Sequence, residues 1–74
     1  MDTQERSDKQ IINTPTQLNQ PGFYVDSENG VWLYYKKGKA EFLNEDGDWE
    51  KWIGNHTNLR TWIDPAFGGT FIGM

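Results

Sequence analysis

Gly30, Gly38 and Gly47 fall eight and nine residues apart, and each ends a polar turn signal: Glu28-Asn29-Gly30, Lys37-Gly38 and Asp46-Gly47. Glycine supplies the left-handed backbone that tight hairpins need. The intervening runs, Phe23–Asp26, Val31–Lys36, Lys39–Asn44 and Asp48–Ile53, have strand length and are rich in aromatic or β-branched residues. Such spacing predicts an antiparallel meander.

Turn lengths then set an expected register. A two-residue Lys37-Gly38 loop pairs Tyr35 with Ala40 and Leu33 with Phe42. A two-residue Asp46-Gly47 loop pairs Asn44 with Trp49 and Ala40 with Ile53. A three-residue loop at 28–30 pairs Val25 with Leu33 and Phe23 with Tyr35. Side chains alternate along strands, so these pairings define two faces. The expected core face carries Phe23, Val25, Val31, Leu33, Tyr35, Ala40, Phe42, Trp49 and Ile53, with Lys51 its one charge. The second face carries Tyr24, Trp32, Tyr34, Leu43 and Trp52 among Lys36, Lys39, Glu41 and Glu50.

Beyond the meander, Leu59, Trp62 and Ile63 form a helical stripe, with Thr57 or Asn58 as cap and Pro65 as stop. Leu59, Thr61 and Ile63 also alternate as a strand would. Thr70-Phe71-Ile72 follows Gly68-Gly69 and is long enough to pair at a sheet edge and close a small barrel. The expected fold is all-β or β-rich: a small antiparallel meander, an SH3-like or partly open barrel, with a flexible N-terminal arm and, in one reading of 57–63, a short helical turn. Residues 1–20 hold only Met1, Ile11, Ile12 and Leu18 as apolar members, so they read as an extended or disordered arm before a single small β domain at 21–74. An arm of this composition is ordered only if a partner or the domain surface holds it.

Composition excludes several function classes. There is no cysteine for a disulfide scaffold, zinc ribbon or thiol nucleophile, and His56 is the lone histidine. Glu45, Asp46 and Asp48 crowd one turn, but the full ligand pattern of a calcium loop is missing. Ser7 and Ser27 lie outside any nucleophile motif. No catalytic residue, metal site or cofactor is expected. A net charge of −4 argues against a nucleic-acid partner, although Lys36, Lys37 and Lys39 cluster locally. No run approaches the ~20 apolar residues of a membrane span, and no secretory signal is expected.

Two arrangements satisfy the second face. Either the arm or the C-terminal segment covers it as a second core, or it is an exposed aromatic platform. In the latter case Tyr24, Trp32, Tyr34 and Trp52, flanked by Lys36 and Lys39, are the candidate binding residues, and mixed charge suits a protein partner best.

Thr14–Tyr24 reads Thr-Pro-Thr-Gln-Leu-Asn-Gln-Pro-Gly-Phe-Tyr. This resembles the lead-in of small β modules in bacteriophage tail-fibre and related virion proteins. The resemblance implies an arm that joins a larger assembly and a module that contacts a neighbour or receptor, located in a virion or the host cytoplasm. Gly38–Trp52 also resembles one choline-binding repeat, but Ala40 and Glu41 stand where such a repeat needs aromatics. The expected function is non-catalytic protein interaction, as a phage-encoded structural or adhesion accessory. The alternatives are a small modulator of a host protein and a binder of single-stranded nucleic acid or glycan.

Overall fold

The computed structural model describes residues 14–74. Strands β1 (Gly22–Val25), β2 (Val31–Lys36), β3 (Lys39–Leu43) and β4 (Trp49–Lys51) form the meander. Helix α1 (His56–Ile63) follows, then a 3₁₀ turn (Pro65–Phe67) and strand β5 (Thr70–Gly73). The sheet is antiparallel, in the order β4-β3-β2-β1-β5. β5 pairs at the edge of β1, which leaves β4 and β5 as separate edges, so the sheet is open rather than a closed barrel.

Segment 57–63 is helical, not a strand, and its cap is Asn55 rather than Thr57 or Asn58. The Asn55 side chain accepts from the Asn58 N–H at 2.8 Å, satisfying one of the free donors of the first turn. Asp64 ends the helix and its side chain caps the 3₁₀ turn, where Pro65 occupies the first turn. The chain then passes so close to the helix end that a Cβ on Gly69 would lie 1.9 Å from the Ile63 carbonyl oxygen. Only glycine fits there.

The strands differ from the expected register at every turn. Lys37 keeps a negative φ while Gly38 is at +76°, so a mirror-type two-residue turn, which needs positive φ at both positions, does not form. Lys36 pairs with Lys39, and β2 then shifts by one residue at Tyr35, giving Tyr34↔Ala40, Leu33↔Glu41 and Trp32↔Phe42. At the next turn Asn44 closes a three-residue loop, with its N–H on Asp48 O at 2.8 Å and Gly47 at φ +85°. The pairs become Leu43↔Trp49, Phe42↔Glu50 and Glu41↔Lys51.

The β1–β2 connection spans residues 26–30, with the Asp26 N–H on Gly30 O at 2.9 Å and Asn29 at φ +71°. Asp26 Oδ1 accepts the Glu28 and Gly30 N–H groups, both at 2.8 Å, and Oδ2 accepts the Trp32 indole N–H at 2.9 Å. The pairing therefore moves two residues, to Val25↔Val31 and Phe23↔Leu33, and face parity is kept.

A one-residue slip turns every side chain of a strand over. Two slips, one on each side of β3, leave Ala40 and Phe42 inward as expected and turn over the strands beside it. The core thus joins Ala40 to the aromatics of the second face: Tyr24, Trp32, Tyr34, Ala40 and Trp52 pack against Leu59, Trp62 and Ile63 of α1, with Phe42 and Phe71 alongside. Trp32 sits at the centre, 5.3 Å from the Phe42 ring, 6.5 Å from Trp52 and 5.5 Å from Trp62. The expected core residues Phe23, Val25, Val31 and Leu33 are only half-buried, and Tyr35, Trp49 and Ile53 are exposed.

The lead-in at 14–20 belongs to the domain rather than to an arm. Leu18 is 3% exposed within the core, and the Tyr24 hydroxyl donates to Gln20 O at 2.6 Å. The remainder of the expected arm lies outside the described residues. Truncating a buried leucine costs about 2–5 kcal/mol, comparable to the whole stability of so small a domain. Leu18→Ala should therefore lower Tm sharply, and deletion of residues 1–20 should prevent cooperative melting. A deletion variant that melts like the full chain would remove the lead-in from the core.

Candidate functional site

The surface opposite α1 is the outer face of the sheet, and no described element covers it. Cross-strand pairing brings together Phe23 and Leu33, Val25 and Val31, and Leu43 and Trp49. Phe23 and Trp49 reach across the sheet with ring centroids 6.0 Å apart. Leu43 and Trp49 are 38% and 42% exposed, the rest half-buried. Toward the other end of the face, Glu41 and Lys51 pair across strands, beside exposed Tyr35. The face is apolar, with charges of both signs at its rim.

The aromatics expected to form an exposed platform are instead the core. Tyr24, Trp32, Tyr34 and Trp52 are 1–8% exposed, so none offers a surface on which a partner could stack. Burial raises the pKa of Tyr24 and of Tyr34, keeping both phenols neutral. Lys36 and Lys39 are exposed, but at the β2–β3 turn rather than among those rings. Phe23, Val25, Val31 and Leu33 face outward because β2 shifts by one residue at Tyr35, Trp49 because the loop after β3 is one residue longer than Asp46-Gly47 implies, and Leu43 lies outside the core face as the sequence implies. The missed signal for β4 is Asn44-Glu45-Asp46-Gly47: asparagine first and glycine fourth mark a type I turn, which lengthens the loop and turns that strand over.

Charge is divided between the two ends of the strands. The β1–β2 and β3–β4 connections lie at one end and carry Asp26, Glu28, Glu45, Asp46 and Asp48. The β2–β3 turn at the other end carries Lys36, Lys37 and Lys39, with Lys51 nearby through Glu41. A cleft lies at each end. The one at the lysine end has a volume of about 280 Å³ and is lined by Tyr35, Lys39, Glu41, Lys51 and Ile53 among others. The one at the acidic end is larger, about 420 Å³, and is walled by Trp32, Phe42 and Trp62. Among the described residues no group of three histidine, cysteine or carboxylate side chains could hold a metal. No helix among them is long and apolar enough to cross a membrane.

Two polar ties hold the site's frame. His56 Nδ1 accepts the Gly38 N–H at 3.0 Å, joining the lysine-rich turn to the start of α1. Burial, then Lys37 and Arg60, lower the His56 pKa, and Asp64 opposes them. Asp64, with no exposed surface, accepts from Arg60 Nε at 2.7 Å, Ala66 N at 2.9 Å, Thr16 Oγ1 at 3.0 Å and Gln17 N at 3.2 Å. Burial alone would raise its pKa, but these four donors together hold the carboxyl below the usual range.

The chain matches no protein-family model, no curated protein and no solved structure.

Both shifts give stability a pH dependence of the same sign. His56 is depressed, so as pH falls below about 6.5 the unfolded chain takes up a proton that the fold does not. Asp64 is depressed, so its contribution is complete above about pH 3.9 and is lost as pH falls through its folded value. The unfolding free energy should thus decline in two steps on acidification. His56→Gln should remove the upper step. NMR of the wild-type Asp64 carboxyl should show titration below 3.9, and titration at or above that value would exclude the tie.

Proposed function

We propose that this chain is a non-catalytic protein-interaction module that docks on a protein partner through the outer face of its sheet. The observation that carries this reading is the uncovered apolar face of Phe23, Val25, Val31, Leu33, Leu43 and Trp49. Apolar side chains gathered on one flat face gain free energy only when something covers them, at roughly 25 cal/mol per Å² removed from water. The partner that fits is another protein with an apolar patch bordered by both charges, matching the Glu41–Lys51 pair on the rim. Nucleic acid fits poorly, because the lysines gather at the β2–β3 turn and the apolar face offers nothing to phosphate.

The virion setting rests on the Thr14–Tyr24 resemblance. That lead-in also serves the fold, through Leu18, Asp64 and the Tyr24 hydroxyl. A modulator of a host protein would use the same face and differ only in what covers it.

The test uses Leu33→Thr combined with Trp49→Thr, which keeps strand propensity while removing apolar area from the face. The variant should melt within about 10 °C of wild type, since both residues lie outside the core. Partners that copurify with the wild-type protein from its native source, or with virus particles, should be lost with the variant. Sedimentation of the isolated protein shows whether a second copy is the partner. Undiminished copurification with the variant would exclude this face as the docking surface.

A further inference from the structure

The molecule is a slab, 34 × 29 × 19 Å across its Cα atoms, in which one helical layer backs the sheet on one side. The other side is open among the described residues, and Leu43 and Trp49 are the most exposed of its apolar side chains. A stable interface takes about 800 Å² from each partner, which a broad side of such a slab can supply. Charge is graded along this face. Alternation from the buried Ala40 puts Lys39 on the outer side, and Lys36 pairs opposite it. Both are exposed and mark the lysine end. At the other end the β3–β4 connection carries Glu45, Asp46 and Asp48, all exposed. Between the two ends lie the apolar pairs Phe23 and Leu33, Val25 and Val31, and Leu43 and Trp49.

We propose that the outer face is covered by a second copy of this chain, turned end for end about a two-fold axis that lies between the two sheets and crosses their strands. The proposal rests on the reading of this face as a docking surface and names its occupant. Two identical faces stack about an in-plane axis that runs either along the strands or across them. An axis along the strands sets acidic end with acidic end and lysine end with lysine end. An axis across them keeps β3 over β3 and lays Glu45, Asp46 and Asp48 of each copy toward Lys36 and Lys39 of the other. Stacked sheets lie about 10 Å apart, within about one Debye length at 0.1 M salt. Charge at that separation therefore penalises the first arrangement and favours the second. The product is an aligned sandwich with α1 of each copy on the outside. A different protein would have to present the same apolar face with its charges reversed end for end, which a second copy presents by symmetry.

Sedimentation equilibrium of the full chain across a concentration series tests it. The wild-type protein should pass from monomer to dimer as concentration rises, and added salt should shift it back toward monomer. Leu33→Thr combined with Trp49→Thr should weaken the dimer about tenfold or more. Reversing the lysine end (Lys36→Glu, Lys39→Glu) or the acidic end (Glu45→Lys, Asp48→Lys) should also weaken it, at exposed positions that leave Tm near wild type. An equimolar mixture of the two reversed variants should associate more tightly than either alone, because one then carries carboxylates at both ends and the other lysines. A mixture no tighter than its components would overturn the proposal. So would a dimer that the Leu33→Thr, Trp49→Thr variant leaves unchanged, or a wild-type protein that stays monomeric at every concentration. In that last case, loss of a copurifying partner with the same variant would keep the face as a docking surface and assign it to a different protein.

Discussion

Four hydrogen-bond donors from three stretches of chain converge on the Asp64 carboxylate, a group with no exposed surface. Thr16 and Gln17 bring the lead-in, Arg60 brings the last turn of α1, and Ala66 brings the 3₁₀ turn. The Asp64 carbonyl accepts in addition from Phe67 and Gly69, so the same residue starts the path into β5. Leaving an ion pair of this kind half-made costs about 3–5 kcal/mol, because the remaining charge is buried and uncompensated. That is a large share of what a domain of this size can hold in reserve. The lead-in, the helix and the last strand therefore form or fail together.

This coupling explains why a segment with a single buried apolar side chain is ordered at all. Leu18 supplies some burial, but Thr14 to Gln20 is otherwise polar and exposed. The side chain of Arg60 spans the gap, donating to the Asp64 carboxylate and to the Thr14 carbonyl, and its guanidinium lies 5.7 Å from the Phe67 ring. Composition alone shows a polar stretch that cannot order itself. It does not show that a carboxylate forty-seven residues away waits for its N–H.

Element existence was legible in the sequence, and face assignment was not. The three turns, the four meander strands and an edge-pairing β5 follow from glycine placement and β-branched or aromatic runs. The stripe of Leu59, Trp62 and Ile63 is the helical face that enters the core, although the sequence left a strand open as an alternative. Which face is buried depends on turn length to a single residue, and here it is decided by the sign of φ at Lys37 and Asp46. Neither residue adopts the positive φ that the shorter mirror-type turns demand, which costs a non-glycine side chain about 1–2 kcal/mol. Asn44 already holds the Asp46 and Asp48 N–H groups on its side-chain oxygen, both at 2.9 Å, so the longer loop comes with two bonds that the shorter one lacks. The two turns that flank β3 thus chose the face together, and with it the candidate site. The aromatics foreseen as a binding platform became the core, Ala40 and Phe42 stayed inward as foreseen, and the rest of the foreseen core became the outer face.

The choice also suits the side chains. The buried face holds aromatic residues with polar handles, and two of these handles bond within the fold: the Trp32 indole on Asp26 and the Tyr24 hydroxyl on Gln20. Such rings bring large buried areas into a small core without leaving a polar atom unpaired; among the described residues no buried side-chain nitrogen or oxygen lacks a partner. The outer face keeps Phe23, Val25, Val31, Leu33 and Leu43, which carry no polar atoms to satisfy. A single eight-residue helix covers one side of a five-stranded sheet, and the described chain has no further element for the other. With both faces apolar and cover for only one, the sheet is complete as a fold and incomplete as a surface.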